Sequence, residues 1–160
     1  MHVRKARSDD LEDLLKLWNA FMEDQRELGR KDGKDRLQRM KDNAPEIAHG
    51  FFLNTIRSPN GLLLVIEDDE KTKGYMLSRI NKNIPVFEND LVGYVSDIYL
   101  EPELRGKGAA SRLWEQTLDW FEKKEVKEIS LKVLRYNTGA FDVYEHWGFQ
   151  HVLSEMRLDL

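Results

Sequence analysis

The chain has 160 residues, 41% hydrophobic and 34% charged, with a formal net charge of −4 and no cysteine. That length suits one domain with a substantial core and is short for two, so a single domain over residues 1–160 is expected. The negative balance argues against nucleic acid as an obligatory partner, and the missing thiol excludes disulfides, thiolate metal sites and a cysteine nucleophile.

No apolar run approaches the roughly 18 residues of a membrane span, and the N-terminal MHVRKARSDD has no apolar signal segment, so no membrane and a cytoplasmic location are expected. Val3–Ala6 reads as a short strand. Ser8 or Asp9 then caps a helix to about Glu27, with Leu11, Leu14, Leu15, Trp18, Phe21 and Met22 at helical spacing. Residues 28–33 break that pattern. A second helical stretch is expected from about Lys34 to Asn43, and Pro45 in a first turn starts another that ends near Arg57. The basic run Arg30, Lys31, Lys34, Arg36, Arg39 and Lys41 is interleaved with Asp32, Asp35 and Asp42, which reads as a solvated helix face.

Ser58-Pro59-Asn60-Gly61 is a turn, followed by a buried strand Leu62–Ile66, a hairpin loop Glu67–Lys73 and a returning strand Gly74–Ile80. The acidic run Glu67-Asp68-Asp69-Glu70 lacks the spacing and glycine of a calcium loop, and no two histidines have metal-ligand spacing, so no metal is expected. Asn81–Asp90 is a loop around Pro85, Val86 and Phe87.

A strand rich in β-branched and aromatic residues follows, from Val92 to Leu100, and Pro102 ends it. Small residues then stand where the next helix begins: Arg105, Gly106, Lys107, Gly108, Ala109, Ala110 and Ser111. A helix start exposes unpaired N–H groups and the positive end of the dipole, and small residues let an anion approach them. This is the chemistry of a diphosphate seat, with Arg105 and Lys107 adding charge; a plain tight turn is the alternative. Neither a P-loop nor the GxGxxG fingerprint is present. The helix runs to about Lys124, with Ala110, Leu113, Trp114, Thr117, Leu118 and Phe121 on one face. Glu128–Leu134 reads as a strand, Thr138–Trp147 as a helix closed by Gly148, and Met156, Leu158 and Leu160 alternate as a last strand.

The run Asp97-Ile98-Tyr99-Leu100-Glu101-Pro102 followed by Arg105-Gly106-Lys107-Gly108-Ala109-Ala110 resembles motif A, [Q/R]-x-x-G-x-[G/A], of the Gcn5-related N-acetyltransferase (GNAT) family. Asn137 to Phe149 is similar to that family's second signature, N-x-x-A-x-x-x-Y-x-x-x-G-F. The resemblance implies an α/β (α+β) fold: a mixed, mostly antiparallel sheet of six to seven strands, splayed between the fourth and fifth, with helices on both faces. It also implies direct transfer of an acetyl group from acetyl-CoA, as co-substrate, to an amine of a small molecule or protein. The lack of cysteine fits direct transfer.

By the same resemblance, Gly106–Ser111 hold the diphosphate and the pantetheine lies along Ile98, Tyr99 and Leu100, where a freed N–H near Ile98 or Tyr99 polarises the thioester carbonyl. Asn137 and Ala140 complete the cofactor site. Tyr144 matches the family's general acid, a phenol with a pKa of about 10 that stays protonated at neutral pH. Asp97 stands where the family often carries an acidic residue facing the acceptor: a base, a group that orders water, or a holder of a cationic acceptor. Ser96 is its neighbour, and a bulge in the family's strand leaves open which of the two faces the cleft. Phe87 and Glu88 are candidate specificity residues. A homodimer is compatible with the family. The alternatives are a non-catalytic acyl-CoA-binding regulatory or sensor module, and a structural domain that binds no CoA.

Overall fold

The computed structural model describes residues 1–31, 33 and 39–158. Its strands are β1 (His2–Lys5), β2 (Gly61–Asp68), β3 (Lys71–Lys82), β4 (Leu91–Leu100) and β5 (Ile129–Leu131), and its α-helices are α1 (Leu11–Lys31), α2 (Ala44–Arg57), α3 (Ala109–Lys123) and α4 (Thr138–His146). They divide between two compact units, Met1–Phe21 with Asp42–Lys132 and Met22–Lys41 with Val133–Leu160.

In the first unit the strands lie in sequence order, antiparallel from β1 to β4 and parallel between β4 and β5. The sheet is mixed and mostly antiparallel, as expected, but it has five strands among the described residues instead of six or seven. The missing strand is the C-terminal one. Met156 and Leu158 alternate with polar residues but pair with no strand among the described residues, and they stay 94% and 85% exposed. Leu160 lies outside the described residues. Alternation supplies a face, whereas a strand also needs a neighbour to complete its backbone hydrogen bonds.

Two sets of side chains bury the two faces of the sheet. Leu63, Val65, Tyr75, Leu77 and Tyr99 pack under Leu11, Leu14 and Leu17 of α1 and Phe52 of α2. On the other face, α3 buries Leu113, Thr117 and Phe121, and the Thr117 hydroxyl lies 3.0 Å from Met76 Sδ. Two strand glycines make this packing fit. A Cβ on Gly93 would stand 2.7 Å from the Phe121 ring, and one on Gly74 would stand 2.5 Å from Leu100 Cδ2 and 2.7 Å from the Tyr99 carbonyl oxygen. Gly74→Ala is therefore expected to destabilise the protein by about 1–3 kcal/mol, because one of the obstacles, the Tyr99 carbonyl, is backbone and cannot rotate away; the denaturant midpoint would read this directly.

Local chemistry shifts several boundaries. The cap expected from Ser8 or Asp9 comes from Asp10, whose Oδ2 accepts the Arg7 N–H at 2.6 Å. Both Asp10 oxygens also accept from Arg4 at 2.8 Å, and Arg4 Nε donates to Glu67 at 2.9 Å, so one arginine ties β1, β2 and the start of the first helix together. That guanidinium holds the Asp10 carboxyl below the usual range against the opposing effect of burial. The hairpin loop expected over Glu67–Lys73 is only the turn Asp69-Glu70, both residues left-handed at φ 51° and 60°, with strands up to Asp68 and from Lys71. Left-handed pairs match the twist of a tight hairpin. Of the helix expected over Lys34–Asn43, residues 34–38 lie outside the described residues and 39–43 are not helical.

In the second unit, the Asn137 side-chain oxygen accepts the Ala140 N–H at 3.3 Å and caps α4. Gly148 ends this segment in the left-handed region at φ 89°, and the Phe149 N–H donates back to the Tyr144 carbonyl at 3.0 Å.

Candidate active site

The structure brings the motif-A residues together at the C-terminal half of β4 and the turn after it. β4 pairs with β3 along its length, but β5 pairs with it only at Gly93, Tyr94 and Val95. Beyond Val95, no strand among the described residues covers that edge. The Glu101 N–H donates to the Lys73 carbonyl at 2.9 Å, which sets the phase of the ladder. In an antiparallel pair the N–H and C=O of one residue point to the same side and alternate along the strand. Glu101 and Tyr99 therefore turn their backbone groups toward β3, and Ile98 and Leu100 turn theirs toward the uncovered edge. Of the two positions expected to offer a freed N–H, the geometry selects Ile98.

Arg105 follows the 3-10 turn Pro102–Leu104. Its Nε donates to the outward Leu100 carbonyl at 3.0 Å, and its guanidinium carbon lies 5.6 Å from the Tyr99 ring centroid. The side chain expected to add charge at a diphosphate seat is thus also a strap between the turn and the strand. Gly106 and Gly108 are left-handed, at φ 72° and 76°, and a Cβ on either would meet no protein atom within 4 Å. Backbone conformation, not packing, demands glycine there. Gly108 caps α3, so no side chain covers the first N–H groups, and the first turn carries no acidic residue. Lys107 is exposed, Ala109 is buried, and Ala110 and Ser111 are half-buried. An anion at this helix start would meet free donors and no repelling carboxylate from that turn.

The bulge that left Ser96 and Asp97 ambiguous is present. Leu77 opposes Asp97 and Ser78 opposes Val95, so Ser96 is the extra residue. Asp97 therefore shares the face of Tyr75 and Leu77, beneath α1 and α2. The Tyr75 hydroxyl donates to Asp97 Oδ2 across 3.5 Å. Burial pushes the Asp97 carboxyl up to about 6, against the opposing effects of this hydrogen bond and of the nearby Arg79 charge. Burial, then the Asp97 charge, push the Tyr75 hydroxyl well above its ordinary value. Ser96 and Ser78 keep buried hydroxyls with no hydrogen-bond partner among the described residues.

Asn137, Ala140 and Tyr144 gather on α4 in the second unit, where the Tyr144 ring lies 5.8 Å from the Trp147 centroid and 6.1 Å from that of Phe149. Phe87 and Glu88 are exposed in the β3–β4 loop. Sequence reasoning missed Tyr75 and Arg79. A signal for Arg79 existed, because it is the one charged residue in the apolar run Gly74–Ile80. Tyr75 carried none, since its alternation is that of any core residue. Among the described residues no three His, Asp or Glu side chains gather as a metal site, and no helix is long and apolar enough to cross a membrane.

A mixed sheet with one half-uncovered strand, leading through a glycine turn into a helix start whose first N–H groups carry no side-chain cap, defines a class of α/β fold with open backbone donors at the end of its fourth strand. The profile of the Acetyltransferase (GNAT) family matches residues 14–149, and the chain belongs to that family of N-acetyltransferases. An uncharacterized N-acetyltransferase of Archaeoglobus fulgidus is 27% identical over 144 residues, spanning 90% of this chain and 89% of that protein. The same fold occurs in a tetramutant of the BH1408 protein from Bacillus halodurans, with a TM-score of 0.82 and 22% identity over the full length of both chains. The AAC(6')-Iy enzyme, solved with the bisubstrate analog CoA-S-monomethyl-acetylneamine, superposes with a TM-score of 0.73 at 17% identity, covering 99% of this chain and 97% of that one.

Proposed function

We propose that this protein, as one domain, transfers the acetyl group of acetyl-CoA directly to a primary amine of a small molecule or a protein. The observation that carries the reading is the uncovered half of β4, with Ile98 and Leu100 facing outward, running into a glycine-capped helix. Acetyl-CoA supplies an activated thioester acetyl group. The N–H groups from Gly106 to Ser111 bind its diphosphate, and Lys107 adds charge beside them. The outward groups of Ile98 and Leu100 hold the pantetheine amides as an added strand would, and the Ile98 N–H is aimed at the thioester carbonyl.

Asp97 is the base in this reading. A carboxyl poised near pH 6 is ionised at neutral pH and more basic than an exposed aspartate, which suits proton abstraction from an amine. The amine nitrogen bonds to the acetyl carbon as the C–S bond breaks; its proton passes to Asp97, and Tyr144 donates one to the departing sulfur. Asn137 and Ala140 belong to the cofactor site through the same signature as Tyr144.

Calorimetric titration with acetyl-CoA, followed by a panel of amines with free CoA as the readout, tests this. Saturable binding and CoA release on one class of amine are the expected results. Absence of binding would overturn the role given to Gly106–Ser111, and binding with no release on any small or protein amine would overturn transfer.

A further inference from the structure

One row from Asp97 on the same face of the sheet stands Arg79, paired across the strands with Tyr94. Its guanidinium carbon lies 4.8 Å from the centroid of the Phe51 ring of α2 and 5.6 Å from that of Tyr94. Aromatic rings hold a guanidinium by attraction to its charge and consume none of its N–H donors. Among the described residues Arg79 has no ion-pair partner, and its Nε is buried with no hydrogen bond. A half-buried cation is thus held between two rings with its buried Nε donor unspent, beside the proposed base. Such a group loses hydration without full compensation unless an anion meets it.

We propose that Arg79 binds a carboxylate of the acceptor, so that the substrate is a small amino acid whose amine turns toward Asp97. This rests on the N-acetyl transfer proposed above. Strand geometry supports the pairing: Arg79 and Leu77 are two residues apart, about 7 Å along β3, and Asp97 lies opposite Leu77. One small molecule with an amine and a carboxylate spans that interval. The planar fork of a guanidinium matches the two oxygens of a carboxylate. A phosphate dianion would face the Asp97 charge with a single arginine to offset it, so a singly charged anion is the better match.

The test compares acceptors that differ only in the anionic group: lysine, ornithine, glycine and other amino acids, each against its carboxamide, with an aminoalkyl phosphonate as a further arm. The full-length enzyme and free CoA release are used throughout. At least one amino acid is expected to exceed its carboxamide in kcat/KM by about 30-fold or more, the range for a charge-assisted hydrogen bond. Arg79→Gln is expected to remove that preference by slowing only the acid, with acetyl-CoA binding unchanged, and Arg79→Lys to restore part of it. Equal rates on acid and amide in the unmodified enzyme would overturn the proposal while leaving acetyl transfer intact. So would preference for the phosphonate, or an equal loss on both substrates in the Gln variant. No acetylation of any amine would instead bring down the transfer reading, and this proposal with it. The acid–amide comparison needs no variant, so misfolding of a substituted protein cannot decide the result.

Discussion

Asp97→Asn is expected to slow acetyl transfer by about 100-fold or more, the scale of a lost general base, and at the same time to make the protein more stable at pH 8. The two effects have one origin. Burial raises the Asp97 carboxyl from 3.8 to about 6, so the folded state favours the protonated form. The penalty for ionising it is absent well below pH 4, grows as pH rises from about 4 to 6, and is fully present above, on the order of 3 kcal/mol. Asparagine never pays this penalty and can still accept the Tyr75 hydroxyl hydrogen bond. Denaturant melts at pH 4.5 and pH 8 should show the variant gaining more on the parent at the higher pH. The parent's kcat/KM should rise with pH through an apparent pKa near 6. A variant that is as active as the parent and no more stable at pH 8 would remove Asp97 from the mechanism and from its strained environment alike.

Tyr144→Phe separates chemistry from binding. Removing one hydroxyl is expected to lower kcat by about 100-fold, because the leaving sulfur loses its proton donor. The ring contacts to Trp147 and Phe149 do not depend on that oxygen, so α4 and the affinity for CoA should be preserved. Calorimetry and steady-state kinetics on the same preparation make the comparison. Unchanged turnover would mean that the leaving group is protonated from elsewhere.

Local patterns made the candidate site legible in sequence, and pairing decided what they could not. The glycines of motif A lie where the backbone is left-handed, and α4 begins at Thr138, where the helical pattern put it, with Asn137 as its cap. Of the five strands that formed, β2 was readable as a buried apolar run, β4 from its β-branched and aromatic residues, and β5 from apolar alternation. The C-terminal segment shows the limit, because Met156 and Leu158 have the pattern of a strand and no partner strand among the described residues. Glu67–Lys73 failed in the opposite sense: its polarity read as a loop, yet cross-strand bonds extend regular structure through all but two of those residues. The bulge at Ser96 depends on the register between β3 and β4, a relation between distant segments that alternation within either strand does not contain. The same register joins Arg79 to Asp97, whose closeness neither residue's neighbours in sequence announce.

Ser78, Arg79 and Asp97 stand in three successive rows at the middle of the sheet with Ser96 as the bulge between them, and among the described residues each buries a polar group with no partner or an imperfect one. The centre of a sheet is ordinarily the part of a domain most resistant to local opening. Here it is also where the chain has left its own bonding least complete. The domain's stability reserve therefore has to come from the flanks, from the apolar layers under α1, α2 and α3, so that the middle can remain receptive. A substitution in those layers, far from any reacting atom, would then reach the enzyme's turnover through the one region with no margin to spare.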